Sequence, residues 1–191
     1  MGACEDRRIR KTKAAIKQGF MQLLIKEKDI RKISVRQLTD LVDISRGTFY
    51  LHYPDLYELL EEIEQEVMQE FSDTLEAHEP VSLKDTPLPL INDILAFLVK
   101  NKDIAQILLG ERVDMSFSYK LQNVIKAKCF LDWTEIYSRK QADRFDYYYA
   151  FIFSGCLNLF MTWIEGGMKE SQETIVKLAE GIMMRGVDVL R

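Results

Sequence analysis

The chain has 191 residues, 47% of them hydrophobic, with only 9 Gly, 4 Pro, 3 Cys and 2 His and a formal net charge of −4. That length suits one large domain, or a small one joined to a moderate one, with ample apolar side chains for a helical core. The cysteines (Cys4, Cys129, Cys156) show no CxxC spacing and the histidines are only His52 and His78. This excludes a disulfide framework or a zinc constellation and points to a reducing, cytoplasmic setting.

The first residues, Met-Gly-Ala-Cys-Glu-Asp-Arg-Arg, lack the apolar core of a signal peptide, and Asp6 stands where a myristoylation motif wants Ser or Thr. Overall charge conceals an asymmetry. Residues 1–53 hold 12 Lys or Arg against 6 acids, a net of +6, whereas the rest hold 14 against 24, a net of −10. A basic head on an acidic body fits a polyanion-binding domain carried by a body that stays off the polyanion.

The first helix is expected over about residues 7–28, burying Ile16, Phe20, Leu23 and Leu24. Ser34 and Gln37 form a capping box for a second helix whose apolar face is Val35, Leu38, Leu41 and Val42. Asp43 and Ile44 make the turn. Ser45 caps a third helix that turns Ile44 and Phe49 inward and leaves Arg46, Thr48 and Tyr50 outside. Two short helices on shared apolar residues, with polar and basic groups opening the second, match helix-turn-helix geometry.

Pro54 suits the first position of a long fourth helix with the stripe Leu56, Leu59, Leu60, Ile63, Val67, Phe71 and Leu75. Its acidic face (Glu58, Glu61, Glu62, Glu64, Glu66) reads as a solvated surface. Residues 78–89 hold three of the four prolines and read as a loop. Helices are then expected at about 88–101, 103–111, 115–139 and 144–165, the last stopped by Gly166-Gly167. Ser171 starts a final helix to Leu190. The pattern predicts an all-α fold of about nine helices, with domains at 1–53 and 54–191.

Tyr147 to Ile164 is a run of 18 residues without a charge. It holds three Tyr, Ser154, Gly155, Asn158 and Thr162, and Asp146 and Glu165 bracket it without a basic flank. It therefore reads as a buried helix and not as a membrane span. On this helix Phe153, Leu157, Phe160 and Ile164 form one face, and Ser154, Asn158 and Thr162 a separate small, polar stripe. The final helix offers Ile175, Ala179, Ile182 and Gly186. Together these faces suggest a four-helix homodimer seam, two helices from each subunit, with an ordinary intrachain pair as the alternative.

The stretch Ser45-Arg-Gly-Thr-Phe-Tyr-Leu-His-Tyr53 resembles the recognition-helix signature of the tetracycline-repressor (TetR) family. Thr12 to Ile16 and Phe20 to Leu24 are similar to that family's first helix, and Ile33 to Leu38 to the start of its second. Two positions depart from the pattern. Asp43 replaces the usual turn Gly, but Asp tolerates a left-handed backbone. Leu56 stands where the family tends to carry a phosphate-contacting Lys. The resemblance implies a three-helix DNA-binding domain followed by a helical ligand-binding and dimerisation domain.

It also implies a transcriptional regulator, most often a repressor released from a palindromic operator by an effector. The residues expected at DNA are Ser34, Arg36, Ser45, Arg46, Gly47, Thr48, Tyr50 and His52, with Arg46 and then Thr48 as base readers. Pocket candidates are Phe97, Met115, Phe117, Cys129, Trp133, Tyr137, Phe151 and Asn158, which favour a small apolar or aromatic effector. The alternative keeps the DNA head but places control with a protein coactivator or corepressor. No phosphate loop, nucleophile motif or metal-ligand cluster is visible, so neither catalysis nor a cofactor is expected.

Overall fold

In a computed structural model, the chain is described over residues 2–76, 88–109, 116–136 and 142–185, with side chains described outside 2–6, 116, 129–136 and 142–144. These residues form nine α-helices, one 3-10 turn (Ile30–Lys32) and no strand. The helices are α1 (Gly2–Glu27), α2 (Val35–Leu41), α3 (Arg46–Tyr50), α4 (Leu56–Glu76), α5 (Leu88–Lys100), α6 (Lys102–Leu108), α7 (Ser116–Ile136), α8 (Ala142–Glu165) and α9 (Gln172–Arg185). Two compact units result: Met1–Val67 with Ile107–Asp114, and Met68–Gln106 with Met115–Arg191. The division falls inside the continuous helix α4.

In the first unit α1 packs on α2, and α2 on α3. Ile16, Phe20, Leu38, Phe49 and Leu59 are fully buried there. Leu41, expected on the inner face of α2, lies at the edge of that face: it is 49% exposed, yet its Cδ2 is 3.6 Å from where a Cβ on Gly19 would stand. Gly19 sets how closely α1 and α2 approach. A Cβ added to it would lie 2.3 Å from Val42 Cγ1 and 3.2 Å from Leu38 Cδ1. A larger residue there would force the Val42 side chain, and Leu38 with it, to shift.

Pro54 does not open α4. Asp55 takes the capping role, its Oδ1 accepting the backbone N–H groups of Tyr57 at 2.8 Å and Glu58 at 3.0 Å. The helix therefore starts at Leu56, because a carboxylate satisfies two of its free N–H groups, which the proline ring cannot do.

The second unit is built on α5 against α9, α8 against α9, and α7 against α8. Phe71 of α4 meets Phe97 of α5 with ring centroids 4.9 Å apart. Phe145, Tyr149 and Phe153 stack in succession along α8, and the Tyr149 hydroxyl donates to the Gln122 carbonyl at 2.7 Å. As predicted, α8 stops at its glycine pair. Gly167 has φ +86°, its N–H donates to Ile164 O at 3.1 Å, and the Met168 N–H donates to Trp163 O at 2.9 Å. That is the Schellman arrangement, which uses a left-handed residue to satisfy the last carbonyls. Ser171 then caps α9, its Oγ accepting the Thr174 N–H at 3.2 Å.

No helix among the described residues is long and apolar enough to cross a membrane.

Candidate nucleic-acid interface

Local chemistry sets the two short helices. The Ser34 Oγ accepts the Gln37 N–H at 3.2 Å, while Gln37 Oε1 accepts from the Ser34 N–H and hydroxyl, both at 2.8 Å. The expected capping box is complete. Asp43 carries φ +53° in the turn, the left-handed conformation that its short polar side chain tolerates. Ser45 then caps α3, its Oγ accepting the Thr48 N–H at 3.0 Å and sharing a 2.9 Å hydrogen bond with Thr48 Oγ1. Phe49, fully buried, pins this five-residue helix from below.

The outward face is then fixed. Arg46 and Gly47 are exposed and Tyr50 is 56% exposed, its ring edge-on to Phe49 at 5.4 Å. Arg46 has no ion pair among the described residues, so its guanidinium keeps all its donors. A Cβ on Gly47 would find only Ser45 Oγ, at 3.6 Å. The backbone there lies open to another molecule. Thr48 and His52 are half-buried. Arg36 is exposed and pairs with Asp40 at 3.5 Å on the same helix. The Ser34 proton is committed to Gln37, so Ser34 presents to a partner an acceptor already shared within its own cap.

A cluster beneath this surface was not foreseen. Lys13 pairs with Glu62 at 2.8 Å, and Lys17 with Glu62 at 2.6 Å and Glu66 at 2.5 Å. Lys13 Nζ also lies 5.1 Å from the centre of the buried Tyr53 ring. Burial works against the charges, yet the ion pairs win. Glu62 is held below the ordinary carboxylate value and Lys17 above the ordinary lysine value. Burial first, then the nearby carboxylates of Glu62 and Glu66, push the Tyr53 phenol upward.

The acidic face of α4 is therefore partly a bracket for α1, and Glu64 on the same helix is buried. Lys13/Lys17 and Glu62/Glu66, each spaced i, i+4, carried the signal in the sequence.

The expected pocket residues do not form one group. Phe97 and Phe117 are buried in the second unit. Met115 and Tyr137 lie outside the described residues, as do the side chains of Cys129 and Trp133. Phe151 and Asn158 are not inside at all. Phe151 is 74% exposed, and Asn158 is exposed with its amide donating to Ser154 O at 3.0 Å. The reason is the rotation of α8. The helix packs against α7 and α9 and buries Phe145, Tyr149, Phe160, Trp163 and Ile164, which leaves the opposite side outward.

The same rotation redistributes the expected seam. Phe160, Ile164, Ile175 and Ala179 are at most 5% exposed within a single chain. Phe153 and Leu157 are half-buried, Ile182 is 40% exposed, and Gly186 lies outside the described residues. What α8 leaves open is a charge-free stripe of Tyr147, Phe151, Ser154, Gly155, Asn158 and Thr162. Tyr147 is 82% exposed, and a Cβ on Gly155 would meet nothing within 4 Å. Among the described residues no group of His, Cys, Asp and Glu could hold a metal ion.

Residues 85–185 match the family model described as the transcriptional regulator C-terminal region, of TetR type. The HTH-type transcriptional regulator YxbF of Bacillus subtilis (strain 168) is 34% identical over 70 residues, 37% of this chain. The match spans only 18% of that protein's length. Among solved structures, a TetR transcriptional regulator from Streptococcus agalactiae 2603V superposes with TM-score 0.70 at 24% identity, covering 97% of this chain and 100% of its own. The fatty acid degradation regulator FadR from Bacillus halodurans superposes with TM-score 0.72 at 16% identity, covering 92% and 95%.

Proposed function

The chain belongs to the TetR family of transcriptional regulators, whose members bind operator DNA and dimerise, and we propose that it acts as a repressor released from a palindromic operator when a small effector binds its C-terminal unit. The observation that carries the DNA half of this reading is the outward face of α3. Arg46, Gly47 and Tyr50 stand clear of a helix locked by Phe49, and among the described residues no competing ion pair holds Arg46.

Roles follow from donor geometry. The fork of Arg46 matches O6 and N7 of guanine, and Gly47 lets the backbone come close. Tyr50 and His52, with Ser45 and Arg36, hold phosphates and carry no sequence information. Thr48, half-buried and bonded to Ser45, offers only its methyl to a base. Ser34 serves the fold first.

A homodimer places two α3 helices in successive major grooves about one helical turn apart. The exposed, charge-free stripe of α8, with Ile182 of α9, is the self-complementary face for it. The effector reading rests on the aromatic interior around Phe97 and Phe117, which suits an apolar or aromatic molecule of modest size. Control requires that this molecule bind the DNA-free state more tightly than the DNA-bound one.

The test is selection of duplexes from a random pool with the full chain, followed by fluorescence anisotropy with Arg46→Ala. Loss of operator affinity with random-duplex affinity kept supports base reading. An equal loss on both makes Arg46 a phosphate clamp. The effector half is tested by screening apolar and aromatic compounds for release of the bound duplex. Uniform failure, with release by a protein corepressor instead, sinks the small-molecule reading.

A further inference from the structure

Resting on α3 as the DNA-reading helix, we propose that Leu51 is a further specificity-determining residue, seated against the C5-methyl group of a thymine in the major groove. Leu51 is 83% exposed, the most exposed of the large hydrophobic residues described. It is not on a loose end. It is the C-cap of α3, with φ −71° and ψ −21°, and its N–H donates to the Gly47 carbonyl at 3.1 Å. The next two residues fold back onto the same turn. The His52 and Tyr53 N–H groups donate to Phe49 O at 2.9 and 3.0 Å, and both Phe49 and Tyr53 are buried. The Leu51 backbone is thus anchored on either side while its isobutyl group points into solvent, on the helix that carries Arg46.

The chemistry of the partner follows. A leucine side chain makes no hydrogen bond, so it adds nothing at a phosphate. Every base edge in the major groove presents a donor or an acceptor, and thymine alone adds to its O4 acceptor an apolar C5-methyl group. Arg46 to Leu51 spans five residues, about 7.5 Å at about 1.5 Å each, or roughly two base-pair steps of about 3.4 Å. The two ends of α3 read by different physics, a charged fork at one and dispersion at the other.

Uracil in place of thymine removes the methyl and nothing else. The full-length protein is first given a random duplex pool. The enriched operator is then remade with each thymine replaced by uracil, one at a time, and binding is measured by anisotropy. For the wild-type chain, one position per half-site should lose roughly three- to tenfold, the worth of about one buried methyl group. In Leu51→Ala that position should become insensitive, while random-duplex affinity changes less than twofold.

Leu51 is exposed, so the thermal midpoint of Leu51→Ala should match the wild type, and Leu51→Met should restore sensitivity to the methyl. If a uracil-sensitive position persists unchanged in Leu51→Ala, or no position is sensitive, Leu51 reads no thymine although the DNA-binding reading stands. If no duplex is enriched at all, both fall together.

Discussion

α3 and α8 solve opposite problems with the same backbone. α3 has five residues, one of them a buried phenylalanine, and turns Arg46, Gly47 and Tyr50 outward. α8 has 24 residues, buries an aromatic column, and turns outward a stripe without a charge. The first face is solvated and cationic, ready to exchange water and ions for a polyanion. The second is stable in water only in part and gains by being covered. A helix therefore announces its partner through what it leaves outside, and its inner face says only how it is held.

The sharpest way to break that contrast is to attack the inner face of the small helix. Phe49→Ala should cost about 3–5 kcal/mol, because the cavity opens under a helix of little more than one turn. Thermal unfolding by circular dichroism measures it. Phe151→Ala on α8, where the ring is 74% exposed within one chain, should leave unfolding nearly unchanged at a concentration low enough to dissociate the dimer. If the two variants melt alike, the assignment of inner and outer faces is wrong.

Next comes the uncovered stripe. Phe151→Arg places a charge in the centre of the proposed seam and should weaken dimerisation by about 2 kcal/mol or more, the scale of an interface hot spot. Sedimentation velocity at a series of concentrations reads it. A wild-type protein that runs as a monomer at micromolar concentration would contradict the seam outright.

Arg46→Ala should cost about 1–3 kcal/mol on the selected operator and relax preference at one base in each half-site. The smallest effect belongs to the bracket between α1 and α4. Glu62→Gln should cost about 0–1 kcal/mol at neutral pH, since the pair is a third exposed and screened by solvent. The folded-state pKa of Glu62 is depressed, so its contribution is present above the ordinary value of 4.5 and is lost as pH falls through the folded value. The stability gap between Glu62→Gln and wild type should therefore close in acid. A gap that widens on acidification would show that Glu62 is not stabilised as the carboxylate.

The sequence made some of this legible and concealed the rest for identifiable reasons. Caps are local, so Ser34 with Gln37, Ser45, Ser171 and the Gly166-Gly167 stop could be found from a few neighbouring letters. The left-handed turn at Asp43 is equally local. Gly19 was invisible because its meaning lies in Val42, a residue on another helix.

α8 is opaque for a different reason. With no charge between Tyr147 and Ile164, polarity cannot mark the outer side, so nothing in the letters tells Phe151 and Asn158 apart from Phe160 and Ile164. Only the positions of α7 and α9 decide which aromatics face in. Within the DNA-facing set, the exposure of Arg46 and Tyr50 could be anticipated from helical spacing. The internal bonds of Ser34 and Thr48 reduce what those hydroxyls can offer.

The bracket also alters what the chain's basic residues are worth in solution. Glu62 and Glu66 lie past residue 53, yet they occupy Lys13 and Lys17, while Asp29 holds Arg31. A cation already answered by its own protein displaces little of the counterion atmosphere condensed on a duplex. On a plot of log affinity against log salt, where each neutralised phosphate contributes a slope of about −0.9, the steepness should follow the cations left to meet phosphates and not the count of Lys and Arg. Ionic strength, which loosens exposed pairs, should then hold the head together less firmly at the same salt that drives it from DNA.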